Sequence, residues 1–322
     1  MRRTRTLHLA AAIDGGEEPA GSYLELVRLA ERGALDFVTL AGGEGDSGDD
    51  ALAVLTRLAP ATDRVGVVPA LAASSAPPAE LALAVAALDR VSQGRAGWAL
   101  AVPGAAAGRG RAERAEARWR HADEVAAAVS LAWDADGDLA GGAGSRTPQG
   151  RPVIAVDATE PAARTTAARH ADVAFVRAAR PDQALLIRND LRRLAMEAGR
   201  DPDRLLVLGE LAIDLGGGEL GPEPGADSSP APDGTGGVLF SGGPVDLADL
   251  IADWQRSGAV DGFHVRPVEP RRDLERFVNG TVALLQHRGL FRSFHPGATL
   301  REHLALRRPV PHPAPPGQPF RR

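Results

Sequence analysis

Eight times along the chain a short apolar run is followed by an amphipathic stretch, and this alternation constrains the fold more than any other feature. A strand buried on both faces reads as an unbroken apolar run, and its parallel neighbour is reached through a crossover, usually a helix. The runs that read as strands are Thr6 to Ala12, Phe37 to Leu40, Val65 to Pro69, Gly97 to Val102, Val153 to Val156, Val173 to Val176, Leu205 to Leu211 and Gly262 to Val265. The helices that follow them read as Ser22 to Glu31, Asp50 to Leu58, Ala79 to Val91, Glu113 to Trp133, Pro161 to Arg169, Asp182 to Glu197, Val245 to Arg256 and Asp273 to His287. Ser22 suits a helix cap, Pro161 a first turn, and Gly33, Gly199 and Gly258 stand where helices stop. This α/β pattern predicts a closed (β/α)8 TIM barrel. An open doubly wound sheet is the alternative, because periodicity does not show closure.

Three stretches fall outside the repeat. Gly104 to Gly110 and Gly137 to Gly150 read as loops flanking the fourth helix. The third, Gly216 to Gly237, is too poor in apolar residues to order itself and reads as a flexible low-complexity insertion after strand seven. Residues 1–306 are therefore expected to form one barrel carrying that insertion, and the Pro- and Arg-rich segment 307–322 a poorly ordered tail.

Composition narrows the chemistry. The chain is 44% hydrophobic and 25% charged over 322 residues, the balance of a globular protein with a sizeable core. A formal net charge of -5 offers no field for holding a polyanion, so nucleic acid is an unexpected partner. All 37 basic residues are Arg, which excludes a catalytic lysine. Zero Cys excludes disulfides, thiol nucleophiles and thiolate metal sites. The apolar stretch Leu7 to Ile13 is short and broken by His8, so a cytoplasmic protein with no membrane partner is expected.

Particular motifs resemble a known family. Ala30-Glu31-Arg32-Gly33-Ala34-Leu35-Asp36-Phe37, Thr62-Asp63-Arg64-Val65-Gly66 and above all Leu88-Asp89-Arg90-Val91-Ser92-Gln93-Gly94-Arg95-Ala96-Gly97-Trp98 are similar to segments of the luciferase-like flavin-dependent monooxygenases. The last of these matches the branch containing nitrilotriacetate and dibenzothiophene-sulfone monooxygenases. Pro148 to Val153, Ala198 to Pro202, Gly258 to Phe263, Arg288 to Arg292 and Thr299 to Leu304 extend the likeness over nearly the whole chain. The resemblance implies a barrel that takes reduced flavin mononucleotide (FMN), usually from a separate flavin reductase, and uses it with dioxygen to oxidise a small molecule. A homodimer and no metal are implied as well.

Several family positions are altered. The strand-four segment that usually carries an amide and hydroxyls beside the flavin reads Gly97-Trp98-Ala99-Leu100-Ala101-Val102-Pro103, leaving Val102 as the matching contact. The usual Arg-Tyr of the next helix is Arg118-Trp119, and an indole cannot accept a hydrogen bond as a phenol does. The phosphate turn corresponds to Asp157-Ala158-Thr159-Glu160-Pro161, where the resemblance assigns cofactor contacts to Ala158 and Thr159, with Arg164 offsetting the two acids. Read from the residues alone, Thr159 better suits a plain helix cap. His264, at the end of strand eight, is the candidate acid or base, against a structural role. His8 is expected to pack inside strand one, the acidic run Glu44 to Asp50 to form a solvated loop rather than a calcium site, and the Trp residues to be packing groups.

An oxygenase using reduced FMN is the leading reading. The altered flavin segments keep a non-catalytic family member open, and a deazaflavin-dependent oxidoreductase is the other alternative.

Overall fold

The computed structural model describes residues 6–14, 20–42, 49–103, 111–135, 147–216, 229–234 and 236–309. The loop 104–110, most of the acidic run, residues 137–146, most of the expected insertion and the tail from 310 lie outside the described residues.

Seven parallel strands succeed one another in chain order: β1 (His8–Ala12), β2 (Phe37–Leu40), β3 (Gly66–Ala72), β4 (Gly97–Ala101), β5 (Val153–Asp157), β6 (Val173–Val176) and β7 (Leu206–Asp214). Two short strands follow, β8 (Ala231–Pro232) and β9 (Val238–Ser241), and then β10 (Gly262–Pro267). Strand β10 pairs with β7 on one side and with β1 on the other, both in parallel, which closes the barrel. The open-sheet alternative is thereby excluded. At the seam His8 pairs with Gly262 and Ala11 with Val265. A Cβ on Gly262 would stand 1.8 Å from the His8 carbonyl oxygen, so only glycine allows the first and last strands to meet.

Helices α1 (Ala20–Arg32), α2 (Asp49–Leu58), α3 (Pro78–Val91), α4 (Arg111–Ala135), α5 (Pro161–His170), α6 (Pro181–Glu197) and α7 (Pro244–Ser257) cross over between strands. Gly258, in the left-handed region at φ 74°, ends α7. The last helical stretch, expected to be one helix, is broken. α8 (Pro270–Arg276) passes into a π-helical turn at Phe277–Val282 and then into α9 (Ala283–His287). Thr281 Oγ1 donates to the Pro244 carbonyl at 2.9 Å there, where Gly280 lets the chain approach Pro244 closely.

β9 lies beside the end of β7 and β8 runs antiparallel to it, so Ala231 and Pro232, at the end of the segment expected to be mobile, carry ladder pairing. The larger core cluster fills the space between strands and helices. A second cluster, including Ala10, Phe37, Val68, Val153, Phe175 and Leu208, fills the barrel itself. Leu300 of α10 (Leu300–His303) and Leu304, just after that helix, join it, and the helix N-terminus is closed by a capping box between Thr299 and Glu302.

Much of the family-like sequence serves this base. The buried Arg95 guanidinium donates to the carbonyls of Ser92, Val65, Ala59 and Thr62. Asp89 accepts from the Ala96 amide and from Gln149 Nε2 at 2.6 Å. Asp36 accepts from His8 Nδ1, Arg292 and the Leu9 amide.

Candidate active site

Side chains alternate across a strand, so in a closed barrel every second residue points inward. On β7 the inward series that contains Leu208 continues to Glu210, and on β10 the series that begins at Gly262 continues to His264 and Arg266. The last inward residues surround a cavity of about 420 Å³ at the C-terminal ends of the strands. Two larger hollows, about 730 and 630 Å³, lie at the opposite end, one against Arg64, His295 and Glu302 and the other against Arg151, Arg200 and Arg301. In a (β/α)8 barrel the chemistry sits at the C-terminal face, which selects the smaller cavity.

Its floor is polar. His264 Nε2 lies 2.8 Å from Thr39 Oγ1, and its Nδ1 lies 3.4 Å from Glu210 Oε2. The Phe175 ring stacks on the imidazole with centroids 4.5 Å apart. The other carboxylate oxygen of Glu210 stands 3.9 Å from Arg177 and 3.8 Å from Arg266, and Arg266 also reaches Asp14 at 3.8 Å. Burial by itself raises the Glu210 pKa, but the hydrogen bond and charge of His264, with Arg177 and Arg266, outweigh it and hold the carboxyl below its ordinary value. Arg177 pairs with Asp157. Burial, aided by the charge of Glu210, nevertheless pushes the Asp157 carboxyl up.

The walls differ in character. Ala12, Ala41, Ala70, Ala99, Ala101 and Ala155 present only methyl groups, leaving room beside several strand ends for a flat ring system. Val102 and Trp119 complete this apolar side. Arg118 also lines the cavity, and its Nε is buried with no hydrogen-bond partner among the described residues. A buried guanidinium nitrogen left unsatisfied is costly, and a bound anion is one acceptor that would satisfy it.

The family model described as luciferase-like monooxygenase matches residues 5–213. The chain belongs to this family. Among relatives of this chain, N-acetyl-S-(2-succino)cysteine monooxygenase of Bacillus subtilis (strain 168) is 26% identical, the match covering 89% of this chain and 90% of the relative. Nitrilotriacetate monooxygenase component A of Aminobacter aminovorans is also 26% identical, with the same coverages of 89% and 90%. The solved EDTA monooxygenase of Chelativorans sp. BNC1 superimposes with a TM-score of 0.75 at 18% identity, covering 94% of this chain and 99% of its own. These comparisons agree with the branch read from the sequence.

Of the residues singled out in the sequence, Val102, Trp119 and His264 line the cavity. Ala158 is buried, and its amide donates to the Phe175 carbonyl at 2.8 Å. Thr159 does not cap α5. Its hydroxyl accepts from the Arg177 amide at 3.0 Å, and α5 begins without a side-chain cap. Arg164 donates to the carbonyls of Ala158 and Thr159 and pairs with Asp190 at 3.1 Å, so it braces the turn against α6. Trp98, Trp133 and Trp254 are buried in the core, and His8 packs inside β1 against Asp36, as expected.

Sequence reasoning missed Glu210, Arg177 and Thr39 as a group. A charged residue inside the apolar run of β7 was the available signal for Glu210, because such a side chain is rarely buried without partners. Arg177 directly follows β6, the position from which barrel loops carry chemistry.

Proposed function

We propose that this chain is a flavin-dependent monooxygenase that binds reduced FMN in the mouth cavity and uses it with dioxygen to oxidise a small organic substrate. The observation that carries this is the unsatisfied Arg118 Nε beside a wall of alanines, a positive group for a phosphate next to space for a planar ring. Arg118 would hold the phosphate, and the alanines, Val102 and Trp119 would bound the ring. When bound, reduced flavin supplies the electrons that activate dioxygen.

The chain's own part is orientation, exclusion of water and proton handling. The apolar wall keeps water from one face of the site, while Glu210, His264 and Thr39 place titratable groups on its floor. The relatives named above are monooxygenases, which supports an oxygenase over a non-catalytic barrel. We further propose a homodimer supplied with reduced flavin by a separate reductase.

Anaerobic titration of the purified protein with reduced FMN, followed by Trp fluorescence, tests the reading. Binding in the low micromolar range, about -8 kcal/mol, is expected. Proteins of this fold include a coenzyme F420-dependent reductase, so the same titration with reduced deazaflavin is the comparison. Tighter binding of the deazaflavin would overturn the choice of cofactor, and no binding of either up to millimolar concentration would leave a barrel kept for a non-catalytic role.

A further inference from the structure

Thr39, His264 and Glu210 come from β2, β10 and β7, and all three line the mouth cavity. Residues 225 positions apart in sequence bring a hydroxyl within 2.8 Å of His264 Nε2, while a carboxylate faces the other ring nitrogen at 3.4 Å. We infer that Thr39 is a catalytic hydroxyl that passes a proton between His264 and an oxygen of the bound ligand, and that Glu210 is a positioning residue that fixes the imidazole tautomer. The inference rests on the mouth being the ligand site.

Three observations separate this from a hydrogen bond that merely pins the core. The first is that the Thr39–His264 pair borders open cavity rather than packed side chains on every side. Next, His264 Nδ1 is buried and its contact with Glu210 is long, at 3.4 Å, and outside good hydrogen-bond geometry, the kind of contact that tightens in a ligand complex. Finally, the ring plane is already fixed, with Phe175 stacked on it and Phe37 beyond, which leaves the hydroxyl rotor of Thr39 as the moving part. The charged groups around the relay are Arg177 and Arg266 against Glu210, Asp157 against Arg177 and Asp14 against Arg266.

The step balances without electron transfer. Protonated His264 gives its Nε2 proton to Thr39 Oγ1 while the hydroxyl's own proton moves to an anionic ligand oxygen. One O–H bond forms on the ligand, one N–H bond breaks on the imidazole, and neutral His264 keeps its Nδ1 proton facing Glu210. The reverse sequence removes a proton from the ligand.

Two measurements test the relay. Nitrogen NMR of 15N-histidine-labelled, cofactor-free protein should show neutral His264 as the Nδ1–H tautomer, and Glu210→Ala should shift it toward Nε2–H. In single turnovers with reduced FMN and dioxygen, Thr39→Val should slow flavin reoxidation about 100-fold, with FMN affinity held within about twofold and Thr39→Ser restoring the rate. A Thr39→Val protein that reacts at the wild-type rate overturns the inference, as does an Nε2–H tautomer in the wild type. If wild-type protein binds no FMN, the cofactor reading fails by itself, and the tautomer still decides the relay.

Discussion

Arg188, on α6, delivers both terminal guanidinium nitrogens to the carboxylate of Asp261 at 2.8 and 2.9 Å, with both side chains buried. The same carboxylate accepts from the Val207 amide at 2.9 Å, and the Asp261 carbonyl accepts from the His8 amide at 3.1 Å. One aspartate thus ties the first, seventh and last barrel strands to a helix. Arg188→Ala leaves that carboxylate buried without its cation and is expected to cost about 3–5 kcal/mol in urea unfolding. A loss below about 1 kcal/mol, the scale of an exposed pair, would contradict this account.

Gly262→Ala is expected to be more damaging than its size suggests. Its Cβ would meet the His8 carbonyl oxygen at 1.8 Å, and neither that backbone oxygen nor a Cβ fixed to its own backbone can swing away. A loss of about 4 kcal/mol or more is expected, or no soluble protein at all. Gly199→Ala provides the control, since no described atom lies within 4 Å of the added Cβ and only its φ of 73° is strained. It should cost about 1 kcal/mol.

Stability between about pH 4 and 6 should reflect two opposed groups. Burial, with the charge of His295, pushes His303 from 6.5 down to about 4, so its contribution is present above pH 6.5 and lost as the pH falls through about 4. Burial pushes Asp89 from 3.8 up to about 6 against its hydrogen bonds from Gln149 and Ala96, so its contribution is present below pH 3.8 and lost as the pH rises through about 6. Each is worth up to about 3 kcal/mol, with opposite sign across nearly the same window. Relative to wild type, His303→Phe should gain stability as the pH is lowered, and Asp89→Asn should gain it as the pH is raised. Urea midpoints near both ends of the window would show this, and parallel profiles for all three proteins would refute it.

Arg118→Ala should weaken binding of reduced FMN by about 10- to 100-fold, the scale of a lost charge-assisted contact, without lowering thermal stability. Riboflavin, which lacks the phosphate, should bind both proteins equally. Equal loss for both ligands would move Arg118 from the phosphate to the ring.

The strands were legible because parallel strands buried on both faces leave apolar runs with clear ends. Val153 and Val173 begin their strands where the sequence reading put them. Closure was not legible, since the pairing of His8 with Gly262 is a tertiary fact absent from any local window. β9 escaped because its four residues follow a glycine-rich stretch read as insertion. The family-like run from Leu88 to Trp98 pointed correctly to the family, yet Asp89 and Arg95 spend their hydrogen bonds at the barrel base. That segment therefore said little about the mouth. Glu210, Thr39 and Arg177 converge from β7, β2 and the residue after β6, and spacing along the chain does not reveal such a meeting.

The pairing of β1 with β10 also orders events during synthesis. The partner of one edge of β1 is made about 250 residues after β1 itself, so that edge stays unpaired while the intervening units are synthesised. His8, buried in the finished protein, lies on that waiting edge. Slow, late closure of this kind makes the yield of folded protein depend on how long that edge is shielded.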